Sequence, residues 1–224
     1  MLEHSDSSSY STEATHTYRR LMEDLREEDR RLWVEFVEDT ANHALRSCPP
    51  LAVGEPFPRF DELRVQIDGL LGQSSSPEPR WYVIAFSFGA SYPFCRLAFA
   101  HVSAMAGQLR RHRAAFACLF PPEDPPSKSV DHGLALIVDR AGRRAAECGF
   151  RIELAPRFHA LARRIPWFLP LLGKGNGDRA TLPGTVIASS SGTVRDFHLP
   201  SDVTRRLAPP DLLARLHSLE TETR

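Results

Sequence analysis

The chain has 224 residues, 42% of them hydrophobic, enough to bury the core of one domain with an extension. Twenty-eight basic residues balance 28 acidic ones, so no global field draws the protein to nucleic acid or to an anionic membrane. No window approaches the roughly 18 consecutive apolar residues of a membrane span, and the start, Met1-Leu2-Glu3-His4, lacks the basic-then-apolar run of a signal peptide. Four widely spaced cysteines, Cys48, Cys95, Cys118 and Cys148, form no Cys-x-x-Cys pair, which argues against a disulfide framework and a zinc site. The expected setting is a cytoplasm that keeps thiols reduced. Only two of the 28 basic residues are lysine, a bias that points to a GC-rich bacterial genome.

Residues 1–13 are polar and rich in Ser, and disorder is expected there. From Ala14, apolar residues such as Leu21, Leu25, Trp33, Phe36 and Leu45 recur at spacings of three and four, which predicts an amphipathic helical extension over 14–50 closed by Pro49-Pro50. Its stripe can be covered by the chain's own domain, as one long or two shorter helices, or serve as the arm of a homodimer. The main domain, 51–224, begins with a short helical piece near Phe60–Leu71 and a loop over 72–79. The pattern then predicts strand 81–87, helix 93–112, strand 115–120, a Pro-rich loop, helix 128–133, strand 134–138 and helix 141–148. After an irregular section come strands 185–188 and 193–198, joined by a Ser-Ser-Ser-Gly turn, and a last helix over 209–219. Strands alternating with helices predict the α/β class, with the hairpin supplying the antiparallel part of a mixed sheet.

At the end of strand 81–87, Ser91-Tyr92-Pro93-Phe94-Cys95 opens a helix in the layout of a thioredoxin-type active site, with Tyr92 where the leading cysteine stands. The segment resembles the Trp-Cys-Pro-Tyr-Cys motif of peroxiredoxin-like proteins of the alkyl-hydroperoxide-reductase and thiol-specific-antioxidant type. Further matches run in the same order. Val53-Gly54-Glu55-Pro56 resembles the opening of that family, Leu182-Pro183-Gly184-Thr185-Val186-Ile187 its late strand, and Asp202-Val203-Thr204-Arg205-Arg206 its Asp-Tyr-Thr-Arg-Arg run. The resemblance implies a thioredoxin-like fold, a mixed central sheet flanked by helices, and thiol chemistry on a small-molecule or thiol substrate. It implies no cofactor. The histidines are scattered without ligand spacing, so no metal is expected either.

Cys95 sits in the first turn of its helix, where unpaired backbone N–H groups and the positive end of the helix dipole favour a thiolate. Two readings stand: a reactive thiol, or a structural one turned back toward the strand. Tyr92 is either a hydrogen-bond donor to a developing oxyanion or a ring that plugs the vacated pocket. The resemblance also implies an arginine near the motif, and Phe88 occupies its place. Pro183 matches the position of the cis proline that borders such sites, so a substrate groove is expected between Ser91, Pro93 and Phe88 on one side and Pro183 and Gly184 on the other. Residues 165–172 are expected to form a flap over that groove or a subunit contact, and Gly173–Gly177 a flexible turn. The function expected is a peroxiredoxin-like thiol oxidoreductase, or an enzyme derived from one, using Cys95 in a degenerate site. The alternatives are a pseudo-peroxiredoxin that binds a ligand or partner in the old groove, and a repurposed non-redox biosynthetic enzyme.

Overall fold

Strand β1 (Trp81–Phe86) is the axis of the molecule, and its nearly unbroken apolar run is buried on both faces, as a middle strand covered on both sides requires. The computed structural model describes residues 7–46, 51–72, 78–122, 124–128, 130–165 and 179–222. On one side β1 pairs in parallel with β2 (Ala114–Phe120), which pairs in parallel with β4 (Leu134–Val138). On the other it pairs antiparallel with β7 (Gly184–Ser189), and β7 with β8 (Val194–His198). With β3 (Val130–Asp131) the order is β3-β4-β2-β1-β7-β8, a mixed sheet of the thioredoxin-like α/β kind. Alternation along β1 divides the core. Tyr82, Ile84 and Phe86 face α3 (Phe60–Leu71), whereas Trp81 and Val83 share a layer with α4 (Pro93–Ala104), α5 (Ala106–Arg111) and α8 (Pro209–Glu222).

In front of the sheet lies a third layer. Helix α1 (Ser7–Glu23) packs on α4 and α8, and α2 (Glu27–Arg46) packs on α7 (Phe158–Arg164). Of the apolar stripe read in the sequence, Trp33 and Phe36 are fully buried within the chain, whereas Leu21 and Leu25 are half-buried. Arg164 Nη1 and Arg26 Nε lie 2.9 and 3.1 Å from the two oxygens of buried Asp29, tying α7 to α2. These contacts hold the Asp29 carboxyl below its usual range, chiefly through the hydrogen bond from Arg164.

Several sequence expectations change. Helix α1 begins at Ser7, inside the segment expected to be disordered, and of the two forms expected for the extension it takes the two-helix one, broken over residues 24–26. The expected helix 93–112 is likewise two, separated at Met105 (φ −98°, ψ 7°). In place of helix 128–133 stands a hairpin, because His132 and Gly133 both take positive φ and form the two-residue turn that joins β3 to β4. The irregular section contains α7 and a separate two-stranded sheet of β5 (Arg151–Glu153) and β6 (Arg179–Thr181). Over 141–148 a 3₁₀ turn precedes α6 (Arg143–Glu147), whose first N–H groups are capped by the Asp139 carboxylate. Cys48, the expected flap beyond Ile165 and the turn Gly173–Gly177 lie outside the described residues. No helix among those described is long and apolar enough to cross a membrane.

Candidate active site

The antiparallel pairing of β1 with β7 places Phe86 opposite Gly184, so the loop leaving β1 and the start of β7 meet at one end of the sheet. From there residues 87–92 lead into α4. Asp124, in the Pro-rich loop, fastens this lead-in: its carboxylate accepts from the Ser91 N–H at 2.6 Å and the Ser91 hydroxyl at 3.0 Å, and its carbonyl from the Ala90 N–H at 3.1 Å. Pro93 occupies the first turn of α4, where a missing N–H costs nothing. Cys95 follows within the same turn.

Cys95 is buried, 8% exposed, and two donors converge on its sulfur. The Phe88 backbone N–H donates to Sγ at 3.3 Å and Arg206 Nη2 donates at 3.1 Å. Hydrogen bonds of this kind are stronger to an anionic sulfur than to a neutral one, so the pair suits a thiolate or an oxygen bound to the sulfur. Arg206 comes from the loop between β8 and α8, and the loop aims it. Asp202 accepts from the Thr204 N–H at 2.8 Å and the Thr204 hydroxyl at 2.6 Å, a local turn of the type acidic side chains favour. Arg206 Nη1 donates to the carbonyls of Val203 and Arg205, and the guanidinium lies 5.5 Å from the centre of the Tyr92 ring. Its Nε is buried and has no hydrogen-bond partner.

Tyr92 does not face this sulfur chemistry as a donor. Its ring is buried between Phe88 and Phe94, at 5.0 and 5.6 Å, and its hydroxyl is 3.5 Å from the Val203 carbonyl. Burial pushes the phenol far above its ordinary range. Packed in this way, the ring fills the pocket beside Phe88 and Phe94, as the plug reading has it. Phe88 is also fully buried in that aromatic cluster, and its contribution to the site is its backbone N–H.

A mainly apolar cavity of about 50 Å³ beside Cys95 is lined by Phe99, Cys118, Gly184, Thr185 and Arg206 among others, but not by Ser91, Pro93 or Pro183. Pro183 is buried, Ser91 is exposed and Pro93 is half-buried. A Cβ on Gly184 would stand 2.6 Å from the Phe150 ring, so a large side chain there displaces the core before it fills the cavity. Cys118 lines the same cavity, yet burial pushes its thiol well up, and Cys148 is raised for the same reason. Among the described residues all three cysteines are free.

Three residues in this site carried no signal as site residues. Arg206 belonged to a recognised run, but nothing in one dimension shows that it reaches Cys95, 111 positions away. Tyr10, in the segment expected to be disordered, is buried with its ring edge-on to His101 at 5.3 Å, and desolvation raises its pKa to about 12. Asp124 looked like one more polar loop residue. No group of three or more His, Cys, Asp or Glu among the described residues is arranged to hold a metal ion.

No family model matches the sequence, and no curated protein does. Solved structures of similar chain course include peroxiredoxin 5 from Alvinella pompejana, at 14% identity and a TM-score of 0.48, covering 75% of this chain and 99% of that one. Reduced Prx3 from Vibrio vulnificus is similar at 14% identity and a TM-score of 0.47, with the same coverage. The same protein in complex with hydrogen peroxide gives 13% and 0.49, covering 74% of this chain and 99% of that one. Likeness of this size transfers no residue role.

Proposed function

We propose that the protein is a thiol-dependent oxidoreductase of peroxiredoxin-like type in which Cys95 is the reacting thiol and Arg206 its charged partner. The observation that carries this reading is the convergence of the Phe88 N–H and the Arg206 guanidinium on one sulfur. In the oxidising step the Cys95 sulfur attacks the terminal oxygen of a hydroperoxide. The O–O bond breaks, the sulfur becomes a sulfenic acid, and the departing oxygen leaves as an alcohol, or as water from hydrogen peroxide, with the proton the thiol gave up. Cys118 and Cys148 are buried with raised pKa values and are poor resolving nucleophiles. With no resolving candidate among the described cysteines, recovery is assigned to external thiols: one displaces water to form a mixed disulfide, and a second releases Cys95 as thiol and leaves with the first as a disulfide. Free cysteines suit a reducing compartment such as the cytoplasm.

The test is stopped-flow oxidation of the reduced protein by hydrogen peroxide with sulfenic-acid trapping and mass spectrometry. Modification at Cys95, abolished in Cys95→Ser, is the expected result. Slow modification spread over all cysteines would remove the oxidoreductase reading and leave the ligand-binding one, which the mainly apolar cavity beside Cys95 favours.

A further inference from the structure

The N–H that donates to the Cys95 sulfur is tied down on both sides by one stretch of chain, the end of β2 and the Pro-rich loop that follows it. Before it, the Ser87 N–H donates to the Leu119 carbonyl at 2.9 Å, which carries the pairing of β1 with β2 one residue beyond the strand. After it, the Ala90 N–H donates to the Asp124 carbonyl at 3.1 Å and the Ser91 N–H to the Asp124 carboxylate at 2.6 Å. The Ser91 hydroxyl donates to the other carboxylate oxygen at 3.0 Å. Phe88 sits between these ties with its N–H on Sγ, 3.3 Å away. Asp124 is itself braced, since its N–H donates to the Pro121 carbonyl at 3.3 Å and Pro121, Pro122, Pro125 and Pro126 restrict the backbone on either side of it. The fit is close: a Cβ on Gly89 would run into the Asp124 side chain, which supplies all three of its nearest neighbours. Gly89 does not take positive φ, so the glycine serves this close approach and not a left-handed turn.

We infer that Asp124 is a positioning residue for Cys95: by fixing Ala90 and Ser91 it keeps the Phe88 N–H on the sulfur, with Gly89 as the gap that lets the two loops meet. The inference rests on Cys95 as the reacting thiol and extends that site to the Pro-rich loop, which gives Cys95 no printed contact of its own but sets the donor that does. Direction separates this role from plain electrostatics. Removing a nearby carboxylate by charge alone favours a thiolate, whereas losing an N–H donor to the sulfur disfavours it.

The test is the pH profile of Cys95 alkylation in the full-length reduced protein, resolved by mass spectrometry. In Asp124→Ala the profile should move to higher pH by about one unit, the size expected for one lost donor. Its high-pH plateau should rise no more than about threefold, as a less stabilised thiolate is the better nucleophile. Asp124→Asn should stay close to the wild type, because its amide oxygen still accepts from the Ser91 N–H and its NH2 meets the Ser91 hydroxyl. A profile in Asp124→Ala that coincides with the wild type or moves to lower pH would overturn the inference, as would an Asn variant displaced as far as Ala. Cys118, buried in β2, reports on the fold, since it is labelled only if this end of the sheet opens. Should Asp124→Ala open it, Gly89→Ala decides the matter by pushing the same carboxylate away: the same upward move is expected, and its absence contradicts the inference. Where both fold, their effects should not add, because the added methyl has less to displace once the carboxylate is gone. Alkylation needs no oxidant, so the two readings fail separately. Wild-type Cys95 left unoxidised by hydrogen peroxide removes the oxidoreductase reading, while the profiles still decide whether Asp124 sets the donor.

Discussion

The central sheet and the helical layer in front of it are held by different forces. Between β1, β2 and β7 nearly every buried side chain is apolar, and cohesion there depends on area removed from water. The layer of α1, α2 and α7 joins aromatic rings to polar pairs: Asp29 with Arg164, Arg157 with Asp39 at 3.4 Å, and Glu13 hydrogen-bonded to His101 at 3.2 Å. The sheet fixes the backbone that presents Cys95, and its apolar contacts are not weakened by charge screening. The layer packs beside Arg206, and its pairs are open to pH and ionic strength. Scaffold and cover are therefore separable.

The largest effect should come from the scaffold. Phe86→Ala removes a ring packed 4.5 Å from Phe150 in the core and should cost about 3–5 kcal/mol, read as a lowered urea midpoint for the whole domain. Next in size, Arg206→Gln should leave the fold intact but slow peroxide oxidation of Cys95 about 100-fold, the order seen when a single charge-stabilising donor is lost; stopped-flow rates check it. A layer pair should matter less. Asp29→Asn should cost about 1–2 kcal/mol, because the carboxylate is buried while both arginines are largely exposed. With its folded pKa depressed, Asp29 contributes stability above its unfolded value near 3.8, and that contribution is lost as pH falls through the lower folded value. Acid titration followed by chemical denaturation should show this loss in the wild type and not in Asp29→Asn. The smallest effect belongs to Glu13→Gln. This exposed pair between α1 and α4 should contribute no more than about 0.5 kcal/mol, and its removal should speed amide exchange in α1 while leaving the sheet protected.

The parts that were legible in the sequence are those governed by local pattern. The buried run of β1, the Pro93 helix start, the placement of Cys95 in the first turn and the β7–β8 hairpin follow from period and punctuation, and all are present. The short elements were misread where two residues decide the outcome. His132-Gly133 turns a predicted helix into a hairpin, and Met105 divides α4 from α5. Composition misled at the N-terminus, where a Ser-rich start conceals Tyr10, a single aromatic whose burial depends on α4 and on the loop before α8. The candidate site was half visible. Cys95 could be named from its motif, but replacement of the expected arginine by Phe88 suggested that no cation remained. Arg206 supplies one from a distant loop, a tertiary placement that no spacing encodes.

The central claim is that Arg206 and the Phe88 N–H make Cys95 the reacting thiol of a chain whose other described thiols are inert. Competitive alkylation of the native protein, followed by mass spectrometry in the wild type and in Arg206→Gln, tests it most directly. Cys95 should be labelled well ahead of Cys118 and Cys148 in the wild type and lose most of that lead in the variant. Labelling of all three at one slow rate, or a Cys95 lead untouched by the substitution, would contradict the claim.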